Sequence, residues 1–121
     1  AIRDMHQAGV VHLDPNCGNL LVRPDRKAVM LIDFEYGPAP DQSIEMQQAF
    51  DYLRFAHNLL RPRRGLRAIR KDPDQFVRHF ESVVGRRQWL IGNPPPEVMS
   101  RLNSIPPLRD GFRQMFGMTA P

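Results

Sequence analysis

The sequence predicts an α+β fold that is mostly α-helical, in which one short β-hairpin precedes several helices. Two apolar runs, at residues 20–22 and 28–34, flank the turn-forming sequence RPDRK at 23–27, and this pattern is typical of a β-hairpin. After residue 43, apolar residues recur at helical spacing. Hydrophobic residues make up 41% of the 121 residues, which is enough for the core of a single domain.

The helices nearest the hairpin can be placed by their end signals. Residues 1–8 are predicted to be the end of a helix, which Gly9 terminates. A long helix is predicted to begin after Asp41 or Ser43, since either side chain can cap it, and to reach about residue 60. The apolar residues that repeat along this helix are Ile44, Met46, Ala49, Phe50, Leu53, Ala56 and Leu60.

The chain after residue 71 is predicted to contain three more helices. Asp72 followed by Pro73 is a typical helix start, and Gly85 is a typical helix end. Two shorter helices are predicted at about 95–103 and 107–117. The apolar residues of the helix that starts at Pro73 are Phe76, Val77, Phe80, Val83 and Val84.

Charge and composition narrow the class of protein only in part. The net charge of +4 and the pI of about 10.0 suit nucleic acid, phosphorylated ligands or acidic surfaces without choosing among them. The single cysteine, Cys17, excludes an internal disulfide and favours a reducing compartment, so we expect a cytoplasmic protein. No stretch of the sequence has the length of a transmembrane helix, and no signal-peptide pattern is present.

The basic run RPRRGLRAIRK at 61–71 concentrates much of the positive charge. Two interpretations stay open. It is either a solvated charged face or a surface for a phosphorylated or anionic acceptor or a nucleic acid. No aromatic residue interleaves with the arginines, which argues against stacking on single-stranded nucleic acid.

Polar residues with catalytic potential lie on both sides of the hairpin. Asp14 precedes the first strand, Asn19 adjoins that strand, and Asp33 lies at the end of the second. Because a hairpin folds its two ends together, Asn19 and Asp33 become neighbours, and an amide and a carboxylate oxygen suit a hard cation such as Mg²⁺. Asp14 could then orient or deprotonate a hydroxyl group near the metal-bound group. Zinc is not expected, since Cys17 is the only thiol.

The sequences HLDPNCGNLLV at 12–22 and LIDFE at 31–35 resemble the catalytic loop and metal-binding segment of the protein-kinase-like superfamily. The pattern there is H-x-D-x-x-x-x-N, a hairpin, and then D-F-G. Glu35 replaces the glycine, and the resemblance covers roughly residues 1–60. The matching residues are His12, Asp14 and Asn19 in the first motif and Asp33 and Phe34 in the second.

The resemblance implies an ATP- and Mg²⁺-dependent phosphotransferase and a role for each matching residue. Asp14 is the expected catalytic base, which accepts the proton of the substrate hydroxyl. Asn19 and Asp33 are expected to hold the Mg²⁺ ions that bridge the ATP phosphates. Leu21 is expected under the adenine, with Ile32 lining the same pocket.

Three further residues receive supporting roles from the same resemblance. His12 is expected to hydrogen-bond the backbone near the metal-binding segment rather than to act in catalysis. Asp51, early in the long helix, resembles the aspartate that braces the catalytic loop from below. Glu35 is expected to form a salt bridge or to face solvent, and contact with a second metal is the alternative.

Departures from the regulated protein kinases narrow the family. Leu13 stands where those kinases usually have arginine, Asn16 stands where a lysine is frequent, and no A-P-E sequence follows. Only about fifteen residues separate DFE from Asp51, which leaves little room for an activation segment. The chain therefore looks more like the small-molecule kinases: choline and aminoglycoside phosphotransferases, lipopolysaccharide kinases and the RIO group. The expected acceptor is a sugar, a lipid-linked sugar or an amino alcohol, and a protein acceptor stays open.

The chain shows no Gly-rich loop and no strand lysine, both of which lie in the N-terminal lobe of this superfamily. We therefore expect residues 1–121 to form a kinase-like C-terminal lobe that is inactive alone, with the catalytic and metal motifs in 1–60 and a helical subdomain in 61–121. One alternative is a truncated, non-catalytic kinase-like module that binds a partner through its basic run. Another is a small basic nucleic-acid-binding protein.

Overall fold

The computed structural model describes residues 1–15, 17–25, 28–34, 41–87, 94 and 96–118. Within these ranges the fold is α+β and mostly helical, as predicted, and its two strands form a single antiparallel sheet. In chain order the elements are α1 (Ile2–Gln7), a 3-10 turn (Cys17–Asn19), β1 (Leu20–Val22), β2 (Val29–Leu31), α2 (Ile44–Leu59), α3 (Arg63–Lys71), α4 (Pro73–Val84), α5 (Pro96–Asn103) and α6 (Pro106–Met115). None of these described helices combines the length and the apolar character needed to cross a membrane.

The predicted hairpin forms, although its second strand is shorter than expected. β2 ends at Leu31 and not at residue 34, since Asp33 adopts a φ of 67°, which is incompatible with extended backbone. Leu31 packs against the helical core, whereas the cross-strand pair of Leu21 and Met30 lies on an exposed face. The register pairs Leu20 with Leu31, Leu21 with Met30 and Val22 with Val29.

The hydrophobic core lies among α2, α4, α5 and α6. Phe80 of α4 packs against Phe112 of α6 with ring centroids 5.1 Å apart. Two of the apolar residues in the predicted helical patterns lie outside the core: Ile44 is 39% exposed and Val83 is 47% exposed, because each lies on the outer side of its helix. The side chains with no exposed surface include Leu53, Ala56, Val98, Leu102, Leu108, Phe112 and Phe116.

The predicted helix ends are confirmed in most cases. Ser43, rather than Asp41, caps α2, since its side chain accepts a hydrogen bond from the Met46 N–H at 3.2 Å. Asp72 caps α4 by accepting from the Gln75 N–H at 3.1 Å. Both caps satisfy backbone donors that the first turn of a helix leaves without a partner.

Helix α3 is the element that the sequence pattern did not predict, since arginines dominate its composition. Leu66 and Ile69 face the core, which turns the cationic side chains outward. Gly65 lies where α3 approaches the end of α2, and a Cβ there would lie 2.3 Å from the backbone oxygen of Leu59. The close approach therefore requires glycine at this position.

Candidate active site

Helix α2 holds the predicted catalytic loop through one buried carboxylate. The Asp51 side chain has no exposed surface, and its Oδ2 accepts a hydrogen bond from the His12 N–H at 3.0 Å. Its Oδ1 accepts a second hydrogen bond, from the Leu13 N–H. Asp51 thus contacts the loop from the core side, at the position that the sequence resemblance implies for a bracing aspartate.

His6 of α1 provides a third donor to the same carboxylate. Its Nε2 lies 2.8 Å from Asp51 Oδ2, and the two side chains are 4% and 0% exposed. The His6 ring also packs edge-on against Tyr52, with centroids 4.9 Å apart. A carboxylate removed from water needs such donors, because burial without partners is costly. Nothing in the sequence pattern indicated His6, whose partner lies 45 residues away.

His12 connects the catalytic loop to the segment after β2. Its Nδ1 accepts a hydrogen bond from the Asp14 N–H at 3.1 Å, so Nδ1 carries no proton. Nε2 is then the protonated nitrogen, and it donates to the carbonyl of Ile32 at 2.7 Å. The ring also contacts Phe34, with centroids 4.6 Å apart. These contacts agree with the structural role predicted for His12.

Two residues of the site occupy the left-handed backbone region. Leu13, just before Asp14, has a φ of 66°, and Asp33 has a φ of 67°. Each costs about 1–2 kcal/mol relative to ordinary backbone, because the Cβ of an L-residue crowds the carbonyl oxygen there. Such strain persists only where surrounding contacts enforce it, and it concentrates at functional sites. The Asp51 carboxylate is the contact that holds Leu13.

Hydrogen bonds of Asn19 link the loop that carries Asp14 to the segment that carries Asp33. The Asn19 side chain donates through Nδ2 to the backbone carbonyl of Asp14 at 3.0 Å. The carbonyl of Asn19 accepts the Ile32 N–H at 2.9 Å, which places Asp33, the next residue, beside it. These hydrogen bonds connect Asn19 to Asp14 and to the residue that precedes Asp33.

Asn19 and Asp33 fit a divalent cation by their chemistry. With Nδ2 of Asn19 committed to Asp14, the amide oxygen is the atom left to ligate, and the Asp33 carboxylate is exposed. Mg²⁺ is usually held by one or two carboxylates together with substrate phosphates and water. The part of the chain that the structure describes contains no group of three or more His, Cys, Asp or Glu residues placed to hold a metal. Any Mg²⁺ here would accordingly draw several ligands from substrate and solvent.

Of the two predicted adenine-contacting residues, Leu21 lies on β1 and Ile32 directly follows β2. Leu21 is 52% exposed, and its cross-strand partner Met30 is 62% exposed. Ile32 is half-buried and follows Met30 by two residues, so the alternation of extended backbone puts both on the same side of the hairpin. This gives an apolar strip in which Leu21 and Met30 are exposed and Ile32 is half-buried, and Met30 had not been predicted.

Arg54 is a further site residue that the motifs do not indicate. It lies one turn after Asp51 on α2, and its Nε is 3.2 Å from Oδ1 of Asp14. The two side chains are 31% and 24% exposed, so the ion pair is partly screened by solvent. The three-residue spacing from Asp51 is the signal that could have found it, because residues so spaced share a helix face.

Two side chains on the core side of α2, those of His57 and Tyr52, have shifted pKa values. Burial lowers the pKa of His57 below its ordinary value, and the nearby Arg101 guanidinium lowers it further. Burial also raises the pKa of Tyr52. His57 lies 3.3 Å from the Ser100 hydroxyl of α5, and Arg87 lies over the Tyr52 ring. These contacts join α2 to its neighbours, not to the catalytic loop.

The braced loop, the hairpin that follows it and the aspartate beyond the hairpin define a protein of the protein-kinase-like class. The sequence model of the lipopolysaccharide kinase (Kdo/WaaP) family matches residues 1–79, and the chain belongs to this family. It is therefore a kinase-like phosphotransferase by descent. Comparison with curated proteins and with solved structures gives no match. The expectations for Asn16 and Glu35 concern positions outside the described residues.

Proposed function

We propose that the protein transfers the γ-phosphate of ATP to a sugar hydroxyl in a Mg²⁺-dependent reaction. Membership of a lipopolysaccharide kinase family supports the phosphotransferase class and a sugar as acceptor. The residue assignment is supported by two hydrogen bonds of Asn19. Its side chain bonds to Asp14, and its carbonyl bonds to the segment that contains Asp33. The catalytic and metal motifs then occupy residues 1–60, and 61–121 form a helical subdomain of a kinase-like C-terminal lobe.

In this proposal Asp14 is the catalytic base. The acceptor oxygen attacks the γ-phosphorus, its proton passes to the Asp14 carboxylate, and the bond from the γ-phosphorus to the bridging oxygen breaks to leave ADP. Asn19 and Asp33 hold the cation, which when bound offsets negative charge on the phosphates. The Leu21 and Ile32 side of the hairpin supplies an apolar surface for the adenine ring.

The acceptor is proposed to be a sugar that is attached to a lipid. The family description supports a lipopolysaccharide-type sugar. Free sugars, amino alcohols and a protein acceptor are the alternatives that a substrate panel separates. Each offers a hydroxyl group, so the same residue, Asp14, would serve as base for all of them.

The test uses the full chain as its gene encodes it, with ATP binding measured by calorimetry with and without Mg²⁺. Asp33→Ala should abolish Mg²⁺-dependent nucleotide binding. Asp14→Asn should retain binding and lose about 10²–10⁴-fold in transfer, which is the usual contribution of general base catalysis. Asp110→Asn is the control, because Asp110 lies on exposed surface and pairs with its neighbour Arg109. Full transfer by Asp14→Asn would contradict the assignment of the base.

The second candidate function, a non-catalytic module that binds a partner through the basic run, is favoured by one observation. The cationic side chains of α3 are exposed, and none forms an ion pair with any residue that the structure describes. This function predicts binding to polyanions that falls steeply with salt. It also predicts no effect of Asp14→Asn or Asp33→Ala on that binding.

A further inference from the structure

One face of α2 contacts three consecutive residues of the catalytic loop. Asp51 accepts the backbone N–H groups of His12 and Leu13, and Arg54, one turn further on, reaches the side chain of Asp14. Asp51 fixes backbone, whereas Arg54 contacts the carboxylate that the proposed function uses as the base. The two contacts differ in burial, since Asp51 has no exposed surface and the Arg54 side chain is 31% exposed.

We propose that Arg54 is a positioning residue that sets the orientation of the Asp14 carboxylate for proton transfer. This inference rests on the proposed function. The Arg54 Nε–H is directed at one carboxylate oxygen, Oδ1, so rotation of the carboxylate about its bond to Cβ would break the contact. The Asp14 backbone is held independently, through its N–H to His12 and its carbonyl to Asn19. Backbone and side chain of the base are thus fixed by separate partners.

Exposure distinguishes this role from a purely structural ion pair. Pairs as exposed as Arg54 and Asp14 contribute little to stability, because solvent screens them. A structural role alone would therefore leave both folding and catalysis almost unchanged when the pair is removed. A catalytic group displaced by about 1 Å can lose about 10²-fold in rate, so a positioning role has a large kinetic effect and a small effect on stability.

The test compares Arg54→Gln and Arg54→Lys in the full chain, with lipid-linked sugar acceptor and ATP. Arg54→Gln should lower kcat about 10- to 100-fold, with the KM for ATP and the melting temperature almost unchanged. Arg54→Lys should recover part of the rate, because lysine retains the charge but lacks the planar donor geometry. Arg109→Gln is the matched control, since its guanidinium pairs with Asp110 on exposed surface away from the loop.

A double variant tests whether Arg54 acts through Asp14. In the Asp14→Asn background, Arg54→Gln should cause no further loss of rate, because the group that it positions is already gone. Independent, multiplicative losses would overturn the proposal, since Arg54 would then act on substrate directly. A raised acceptor KM with unchanged kcat would overturn it for the same reason.

The outcomes also separate this inference from the proposed function. If Arg54→Gln keeps full kcat while Asp14→Asn is inactive, the positioning role is wrong and the proposed function stands. If Asp14→Asn keeps full activity, both are wrong. Should Arg54→Gln fail to fold, Arg54→Lys decides alone: full activity with a lysine in place of the directed donor would overturn the proposal.

Discussion

Helices α2 and α3 are neighbours in the chain and use charge in opposite ways. Asp51 and Arg54 of α2 contact loop residues 38 to 40 positions earlier in the chain. Helix α3 carries more charge, yet its cations are exposed and have no ion pair within the described ranges. The number of charges in a segment is therefore a poor guide to the site, because the partner that each charge meets decides its role.

The difference has a physical basis in how each helix is stabilised. Like charges repel at helical neighbour spacing in α3, where Arg67 lies four residues from both Arg63 and Lys71. Its N-cap, Pro62, makes no side-chain hydrogen bond. Formation of α3 therefore depends on burying Ile69 and part of Leu66 against the core. In α2, by contrast, polar side chains are themselves part of the packing.

The largest effect expected from this comparison is that of Asp51→Ala. The substitution leaves His6 and two loop N–H groups without their buried acceptor, so we expect a loss of about 3–5 kcal/mol in the free energy of unfolding. Urea denaturation measures it. Asp110→Ala, on exposed surface, is the control and should change stability by no more than about 0.5 kcal/mol. If Asp51→Ala lowered the free energy of unfolding only slightly, the polar side chains of α2 would not be part of its packing. Helices α2 and α3 would then not differ in this respect.

A smaller loss of stability is expected for Gly65→Ala, at the point where α3 meets the end of α2. Helix propensity alone would stabilise the variant by about 1 kcal/mol. The new Cβ would instead meet the backbone oxygen of Leu59, which cannot move aside as a side chain can, so we expect a net loss of about 1–3 kcal/mol.

The control for this variant is Ala68→Gly, at an exposed position of α3. Ala68→Gly should lower the free energy of unfolding by about 1 kcal/mol through helix propensity alone. A loss of that size would show that α3 unfolds together with the rest of the domain. If Gly65→Ala raised the urea midpoint, the two helices would not be packed as closely as described.

The sequence predicted the parts of the molecule that local pattern determines. The hairpin, α2, α4 and the motif residues Asp14, Asn19 and Asp33 follow from short-range spacing and turn chemistry. Helix α3 was missed because Leu66 and Ile69 are its only large apolar residues, too few to show a helical period. His6 was missed because its partner lies 45 residues away, and spacing within a motif carries no signal over that distance. Arg54 contacts a residue 40 positions earlier, and its three-residue spacing from Asp51 is the only local signal for it.

The smallest effect on stability is expected for Arg67→Glu, which tests the role of the positive charges in α3. At four-residue spacing, a glutamate there replaces repulsion from Arg63 and Lys71 with attraction. At about 0.2–0.5 kcal/mol for each pair, the free energy of unfolding should rise by about 0.4–1 kcal/mol. The rate of phosphate transfer should stay unchanged, because the hydrogen bonds described above for Asp14 and Asn19 come from the catalytic loop, the hairpin and α2. A fall in transfer, or in salt-dependent binding to polyanions, would instead mean that the exposed charge of α3 has a partner of its own. The destabilising arrangement of like charges would then be retained for that partner, and α2 and α3 would differ in what they bind rather than in whether their charges act at all.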